Sequence, residues 1–169
     1  MKKIYSGMLF VFLQLAVPAV NALDIGASAP VFTLPMLDNK EKNVSLSSFR
    51  GEVIYLDFWA SWCAPCRTSF PLLNAFLQKK QAEGFRIIAV NVDENEAAAK
   101  KFLQDYPVDF TVLQDSGWHW VETYDVDSMP TSFLIDRKGV IRYRHSGFTS
   151  ADMAKIENKI NALLAEEVP

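Results

Sequence analysis

The chain has 169 residues, 50% of them hydrophobic and 22% charged. That is the composition of one ordinary globular domain, and it excludes a collagen-like, low-complexity or fully disordered protein. Lys+Arg number 17 against 20 Asp+Glu, a net charge of −3, so the chain lacks the basic footprint of a nucleic-acid binder. Its two cysteines can form neither a disulfide framework nor, alone, a structural zinc site. Whatever they do, they do as a pair.

Met1-Lys2-Lys3 opens the chain, an apolar run from Met8 to Val20 follows, and Val20-Asn21-Ala22 closes the segment with small residues at the third and first positions before a cut. A basic start, an apolar centre and a small-residue end read as a secretory signal peptide over 1–22, cleaved after Ala22 or, as second choice, after Ala19. The alternative is an uncleaved N-terminal anchor, but the apolar run is shorter than the roughly 20 residues a membrane span needs. No cysteine lies near the cut, so lipid attachment there is excluded. Removing 1–22 leaves a single domain over 23–169 with 15 basic and 20 acidic side chains. A domain of about 150 residues buries a sizeable core without staples, so the cysteines are not needed to hold the scaffold together. The expected location is periplasmic or otherwise exported, with no stable membrane span after cleavage.

Along the mature chain, Val31-Phe32-Thr33-Leu34 and Val44-Ser45-Leu46 flank the turn signal Asp38-Asn39-Lys40, which predicts a small hairpin. Ser47 to Gly51 reads as a short helical turn stopped by glycine. Val53 to Trp59 is a near-continuous apolar run, the pattern of a strand buried on both faces, interrupted by Asp57. Pro65 to Lys80 has helical spacing, with Phe70, Leu73, Phe76 and Leu77 on one face, Pro71 inside and Gly84 beyond its end. Phe85 to Val92 predicts a second buried strand. Asn95 to Tyr106 predicts a helix with Asp93 or Asn95 as its cap. Phe110 to Leu113 is a short extended piece, and Trp118 to Tyr124 is helical. Thr131 to Ile135 and Val140 to Arg144, joined by Arg137-Lys138-Gly139, predict an antiparallel hairpin. Thr149-Ser150-Ala151-Asp152 has the spacing of a capping box and opens a last helix with Met153, Ile156, Ile160, Leu163 and Leu164 on its apolar face. Alternating strands and helices imply an α/β domain, its partly parallel sheet covered by helices on both faces.

The chemistry sits in Trp59-Ala60-Ser61-Trp62-Cys63-Ala64-Pro65-Cys66. Cys63 falls where a buried strand has ended and a helix begins. Two intervening residues place the cysteines one helical turn apart, within the Cα separation of roughly 4.4–6.8 Å that a disulfide needs. Free N–H groups and the helix dipole at that first turn favour negative charge. They lower the thiol pKa of Cys63 from about 8.5 and make it the nucleophile. Cys66, deeper in the helix, resolves the mixed disulfide, and Pro65 stiffens the turn without losing a needed donor. Half a zinc site is the first alternative, but His119 and His145 have no ligand partner at useful spacing. A static structural bridge is the second, but it would close a loop too small to constrain the unfolded chain much.

At these residues the chain resembles the thioredoxin superfamily, and within it the exported TlpA/ResA/DsbE-like thiol–disulfide oxidoreductases. The resemblance is carried by Gly26-Ala27-Ser28-Ala29-Pro30-Val31-Phe32-Thr33-Leu34, by Leu56 to Arg67 across the CxxC, by Ala89-Val90-Asn91-Val92-Asp93, and by Met129-Pro130-Thr131-Ser132-Phe133-Leu134-Ile135-Asp136. It implies a thioredoxin-like fold, a central mixed β-sheet flanked by helices with an N-terminal β-hairpin extension. It also implies a cis peptide at Met129-Pro130 facing the cysteines, where an extended substrate pairs as an added strand. Substrate contacts are expected at Trp62, Ala64, Pro65, Met129, Pro130 and Thr131. Asp57 matches the buried acid of thioredoxins; we expect it to exchange a proton with Cys66 through water, a hydrogen-bonded structural acid being the bland alternative. The partner lysine of thioredoxins would fall at Ala89, so that ion pair is absent. The acid that some ResA-like proteins place three positions after the second cysteine is here Ser69, a departure that weakens assignment to cytochrome c maturation.

The expected function is exported disulfide reduction through a Cys63/Cys66 cycle, with protein substrates, no cofactor or metal, and a membrane electron donor implied by resemblance. Ala64-Pro65 carries no charge to stabilise a thiolate strongly, which favours a reductant over an oxidant. Three rivals stand beside it. A disulfide oxidant or isomerase would have a weakly reducing potential. A peroxiredoxin-type peroxidase shares the N-terminal Gly-x-x-Ala-Pro-like segment but uses a cysteine outside any CxxC. A non-catalytic binding module would survive loss of Cys63.

Overall fold

The computed structural model describes residues 24–167, so the expected signal segment and its cleavage sites lie outside the described residues. Strands β1 (Thr33–Pro35) and β2 (Asn43–Ser45) form the expected small hairpin, followed by a 3-10 turn over Leu46–Phe49. The main sheet comprises β3 (Val53–Trp59), β4 (Phe85–Asn91), β5 (Thr111–Gln114), β6 (Thr131–Ile135) and β7 (Ile141–Ser146), in the order β5-β4-β3-β6-β7. β3, β4 and β5 run parallel, whereas β6 is antiparallel to β3 and β7 to β6. The short extended piece at 110–113 thus becomes a full edge strand. The helices are α1 (Ala64–Lys80), α2 (Glu96–Asp105), α3 (His119–Thr123) and α4 (Asp152–Leu164).

All seven residues of β3 are buried, because helices or the hairpin cover both of its faces. Side chains alternate across a strand. Tyr55 and Trp59 point into a core shared with Phe70 and Leu73 of α1, Phe102 of α2 and Ile156 of α4. Ile54, Leu56 and Phe58 point the other way, against Phe32, Leu46, Val121 and Tyr124. Helices cover both faces as expected, but unequally: α1, α2 and α4 take one, and the five-residue α3 shares the other with the hairpin. Pro71 lies inside α1, where it leaves the Arg67 carbonyl without its helical donor. Gly84 adopts φ +85° beyond that helix, a left-handed conformation glycine takes at no steric cost.

The stretch from Gly26 to Leu37 ties down both sheet edges. Its start pairs with the outer side of the β7 hairpin through a Ser28–Val140 bridge and bonds between Gly26, Ala27 and Ile141. Its end bridges Met36 to Leu113 on β5, with Leu37 N–H donating to the Val112 carbonyl. At α4, Thr149 donates its N–H (2.8 Å) and hydroxyl (2.7 Å) to Asp152, the reciprocal half of the predicted capping box. α2 is capped by Asn95, which accepts from the Ala97 N–H; Asp93, the other candidate, is engaged elsewhere. No helix among the described residues is long and apolar enough to cross a membrane.

Candidate active site

β3 ends at Trp59, and the chain turns back by donating Cys63 N–H to the Ala60 carbonyl at 3.1 Å. This places Cys63 at the N-cap of α1, with extended backbone, while Cys66 lies within the first turn and Pro65 sits among the first helical residues. The two cysteines form a disulfide, with Cα atoms 5.4 Å apart. The Cys66 N–H donates to Cys63 Sγ at 3.2 Å, so the first sulfur receives a helix N-terminal donor. Burial separates the pair little: Cys63 is 2% exposed and Cys66 0%. Position on the helix is what distinguishes them. The exposed groups beside the sulfurs are Ala64 and Trp62, the latter 59% exposed. Trp59, by contrast, is fully buried and packs on Phe70 and Phe102.

The loop before the cysteines is held by Asp93, a residue whose sequence position suggests only a helix cap. Asp93 accepts from the Ser61 N–H (2.8 Å), the Ser61 hydroxyl (3.0 Å) and Asn91 (2.8 Å). The signal was present in Asn91-Val92-Asp93 just past a buried strand. Ser69, three positions after Cys66, is buried and donates its hydroxyl back to the Cys66 carbonyl at 3.3 Å.

Antiparallel pairing of β3 with β6 sets the start of β6 beside the end of β3, with Phe58 opposite Thr131. The Met129-Pro130 peptide at that start is cis, as the resemblance implied. Met129 is half-buried and packs against both cores. Thr131 is fully buried and donates its hydroxyl to the Ser128 carbonyl at 2.8 Å. Arg144 on β7 anchors the approach to this peptide: it donates to the Asp125 carbonyl at 2.6 Å, lies within 3.7 Å of the Asp127 carboxylate, and stacks over Phe133.

Asp57 is 1% exposed, and its Oδ2 has no hydrogen-bond partner among the described residues. Burial holds its carboxyl well above the usual carboxylate range. It shares a face of β3 with Tyr55 and Trp59, the face covered by α1 and Cys66. Its direct neighbours are Ala89 on β4 and Ser132 on β6, so the β4 position beside it holds an alanine. Tyr55 and Ser132 went unnoticed in the sequence because their contact spans 77 positions and depends on strand register.

The Redoxin family pattern matches residues 24–163. The chain is 38% identical over 119 residues to the thiol-disulfide oxidoreductase ResA of Bacillus thuringiensis subsp. konkukian, covering 70% of this chain and 68% of that one. A crystal structure from Chlorobium tepidum, assigned as the thiol:disulfide interchange protein DsbE, superposes with a TM-score of 0.81 at 48% identity, covering 85% of this chain and 99% of the other. A solution structure from Bacteroides thetaiotaomicron, assigned as a protein disulfide isomerase, gives 0.75 at 30% identity over 85% and 92% of the two chains. With a CxxC disulfide at a strand-to-helix turn and a cis-proline strand alongside, the chain belongs to the Redoxin family, as a thioredoxin-like thiol–disulfide oxidoreductase of the ResA/DsbE-like group.

Proposed function

We propose that the protein is exported and reduces disulfides in extracytoplasmic substrate proteins. The observation that carries the exchange chemistry is the Cys66 N–H aimed at Cys63 Sγ from the first turn of α1; the reducing direction rests on Ala64-Pro65, which sets no charge between the cysteines to stabilise a thiolate strongly. In the reduced protein the same donor, with the helix dipole, favours a Cys63 thiolate. That thiolate attacks one sulfur of a substrate disulfide: a Cys63–substrate bond forms and the other substrate sulfur leaves as thiolate. Asp57 takes the proton of Cys66. The Cys66 thiolate then attacks Cys63 Sγ, closes the intramolecular disulfide and releases the second substrate sulfur. Two electrons pass from the Cys63/Cys66 pair to the substrate.

The substrate lies extended along Met129, Pro130 and Thr131, pairing with main chain, since the Thr131 hydroxyl is already engaged. Trp62, Ala64 and Pro65 form the opposite lip, and a cleft of about 290 Å³ lined in part by Ser61, Arg67 and Lys101 flanks it. In an oxidising compartment the dithiol is regenerated by a membrane electron donor.

Titration against glutathione tests the direction. A potential near the thioredoxin value of about −270 mV supports a reductant, and one above about −180 mV overturns it in favour of an oxidant or isomerase. Cys66→Ala, which cannot resolve, traps substrates and donor as mixed disulfides in whole cells. Mass measurement of the exported protein shows whether it begins after Ala22.

A further inference from the structure

Asp57 faces a buried hydroxyl pair that the exchange steps leave unused. The register places Ser132 directly opposite Asp57 across β3 and β6, and His145 directly opposite Ser132 across β6 and β7. Residues so opposed have Cβ atoms about 4.5–5.5 Å apart. Tyr55 is two residues before Asp57 and therefore on the same face, and its hydroxyl donates to Ser132 Oγ at 2.7 Å inside the core. Burial first, and the nearby Asp57 carboxyl second, hold the Tyr55 phenol well above its ordinary value, so it remains a donor. The acceptor side of Ser132 is thereby engaged. The hydrogen of Ser132 reaches only the His145 main-chain carbonyl at 3.5 Å, the weak limit of hydrogen bonding. A serine hydroxyl rotates its single hydrogen to suit its surroundings. At the facing position on β3, Asp57 Oδ2 is buried with no hydrogen-bond partner among the described residues, Ser132 Oγ included.

We propose that Ser132, oriented by Tyr55, is the donor that turns to the Asp57 carboxylate when Asp57 gives up its proton, which makes Ser132 and Tyr55 positioning residues of the proton-handling step. The inference rests on the reading that Asp57 exchanges a proton with Cys66. While Asp57 is protonated, the Ser132 hydrogen stays on the His145 carbonyl. Once Asp57 ionises, its side chain turns toward the facing Ser132 and accepts that hydrogen at Oδ2, while Tyr55 continues to donate to Oγ; neither hydroxyl loses its proton. A hydrogen bond to a charged acceptor is about twice as strong as a neutral one, so the arrangement favours the ionised carboxylate selectively. The other titratable groups around this row are Cys66 on α1, Tyr143 and His145 on β7, and Asp152, Lys155 and Lys159 on α4. Asp152 lies 3.8 Å from the His145 ring, and the two lysine amines sit 5.6 and 4.3 Å from the Tyr143 ring centre.

The test is the pH–rate profile of the reduced protein with oxidised glutathione, followed by stopped-flow tryptophan fluorescence, alongside an infrared titration of the buried carboxyl. Ser132→Ala moves the Asp57 limb up by about one pH unit, roughly tenfold in rate at a fixed pH on the limb. Tyr55→Phe, which removes one oxygen, moves it the same way by less. Ser132→Thr keeps the hydroxyl and leaves the limb in place. His145→Gln keeps the main-chain carbonyl and does likewise; a limb displaced as far by His145→Gln as by Ser132→Ala would assign the effect to the imidazole and overturn the proposal. If Asp57→Asn abolishes the limb while Ser132→Ala and Tyr55→Phe leave it unmoved, the proposal fails and the role of Asp57 stands. If the limb survives Asp57→Asn, the role of Asp57 itself fails. Should Ser132→Ala not fold, Tyr55→Phe decides by the same criterion.

Discussion

The two faces of β3 use one buried strand in different ways. Ile54, Leu56 and Phe58 sit in an apolar and aromatic cluster, with Phe58 against both Tyr124 and Phe133. The other face carries Asp57 and the Tyr55–Ser132 hydroxyl pair, below the disulfide. Both faces are equally dry, so burial alone does not mark the reactive side. What marks it is polar atoms kept in the dry core at a cost, since a buried group without its full set of partners destabilises the fold. One face supplies cohesion, and the other gives some of it up to hold polar groups beneath the disulfide.

Cys63→Ser is the strongest way to separate the two. Thiol–disulfide exchange should fall to background, whereas the stability of the reduced protein in urea should hold within about 0.5 kcal/mol or rise, because serine is a favoured N-cap residue. Phe58→Ala reverses the pattern. Unfolding in urea should show a loss of about 3–5 kcal/mol, with the exchange rate per folded molecule within about twofold of the parent; a collapse of that rate would show the faces to be coupled.

Asp57→Asn links stability to chemistry through pH. An acid that is harder to ionise folded than unfolded keeps its proton in the folded chain from the ordinary Asp value of about 3.9 up to its raised one. Unfolding in that window releases the proton, so the parent loses stability as pH rises through it. The variant should therefore be the more stable protein at neutral and alkaline pH, and denaturation curves should converge below about pH 4. A constant gap across pH would refute the buried acid. The smallest effect is expected from Arg144→Ala, which frees the segment before the cis peptide. Its ion pairs are exposed on the carboxylate side and worth up to about 1 kcal/mol, so KM for a protein substrate should rise by no more than about fivefold with kcat unchanged.

The reactive end of the molecule was legible because its signals are local. A buried strand, a turn and a helix with cysteines at its start lie within a short stretch of sequence, and Asp57 stands out as a charge in an apolar run. The Ala89 substitution could also be read, since parallel pairing with β4 follows from the resemblance. The hydroxyl pair could not: Tyr55 and Ser132 are unremarkable alone and meet only through the register of β3 on β6. Asp93 read equally well as a helix cap, and only the folded chain shows it spent on Ser61. The 110–113 piece was too short to announce itself as an edge strand, because its place depends on β4 and on Met36 bridging from the far side.

The strap from Gly26 to Leu37 closes both borders of the sheet through distant parts of the chain, so we expect the sheet to be completed late in folding. Its docking points at Leu113 and Val140 lie far down the chain, so contacts of long sequence separation must form before either border is sealed, which slows folding. Until then both outer strands offer unpaired backbone to other chains. Shortening the strap should therefore turn a discrete molecule into one prone to edge-to-edge polymerisation, even with the redox centre intact.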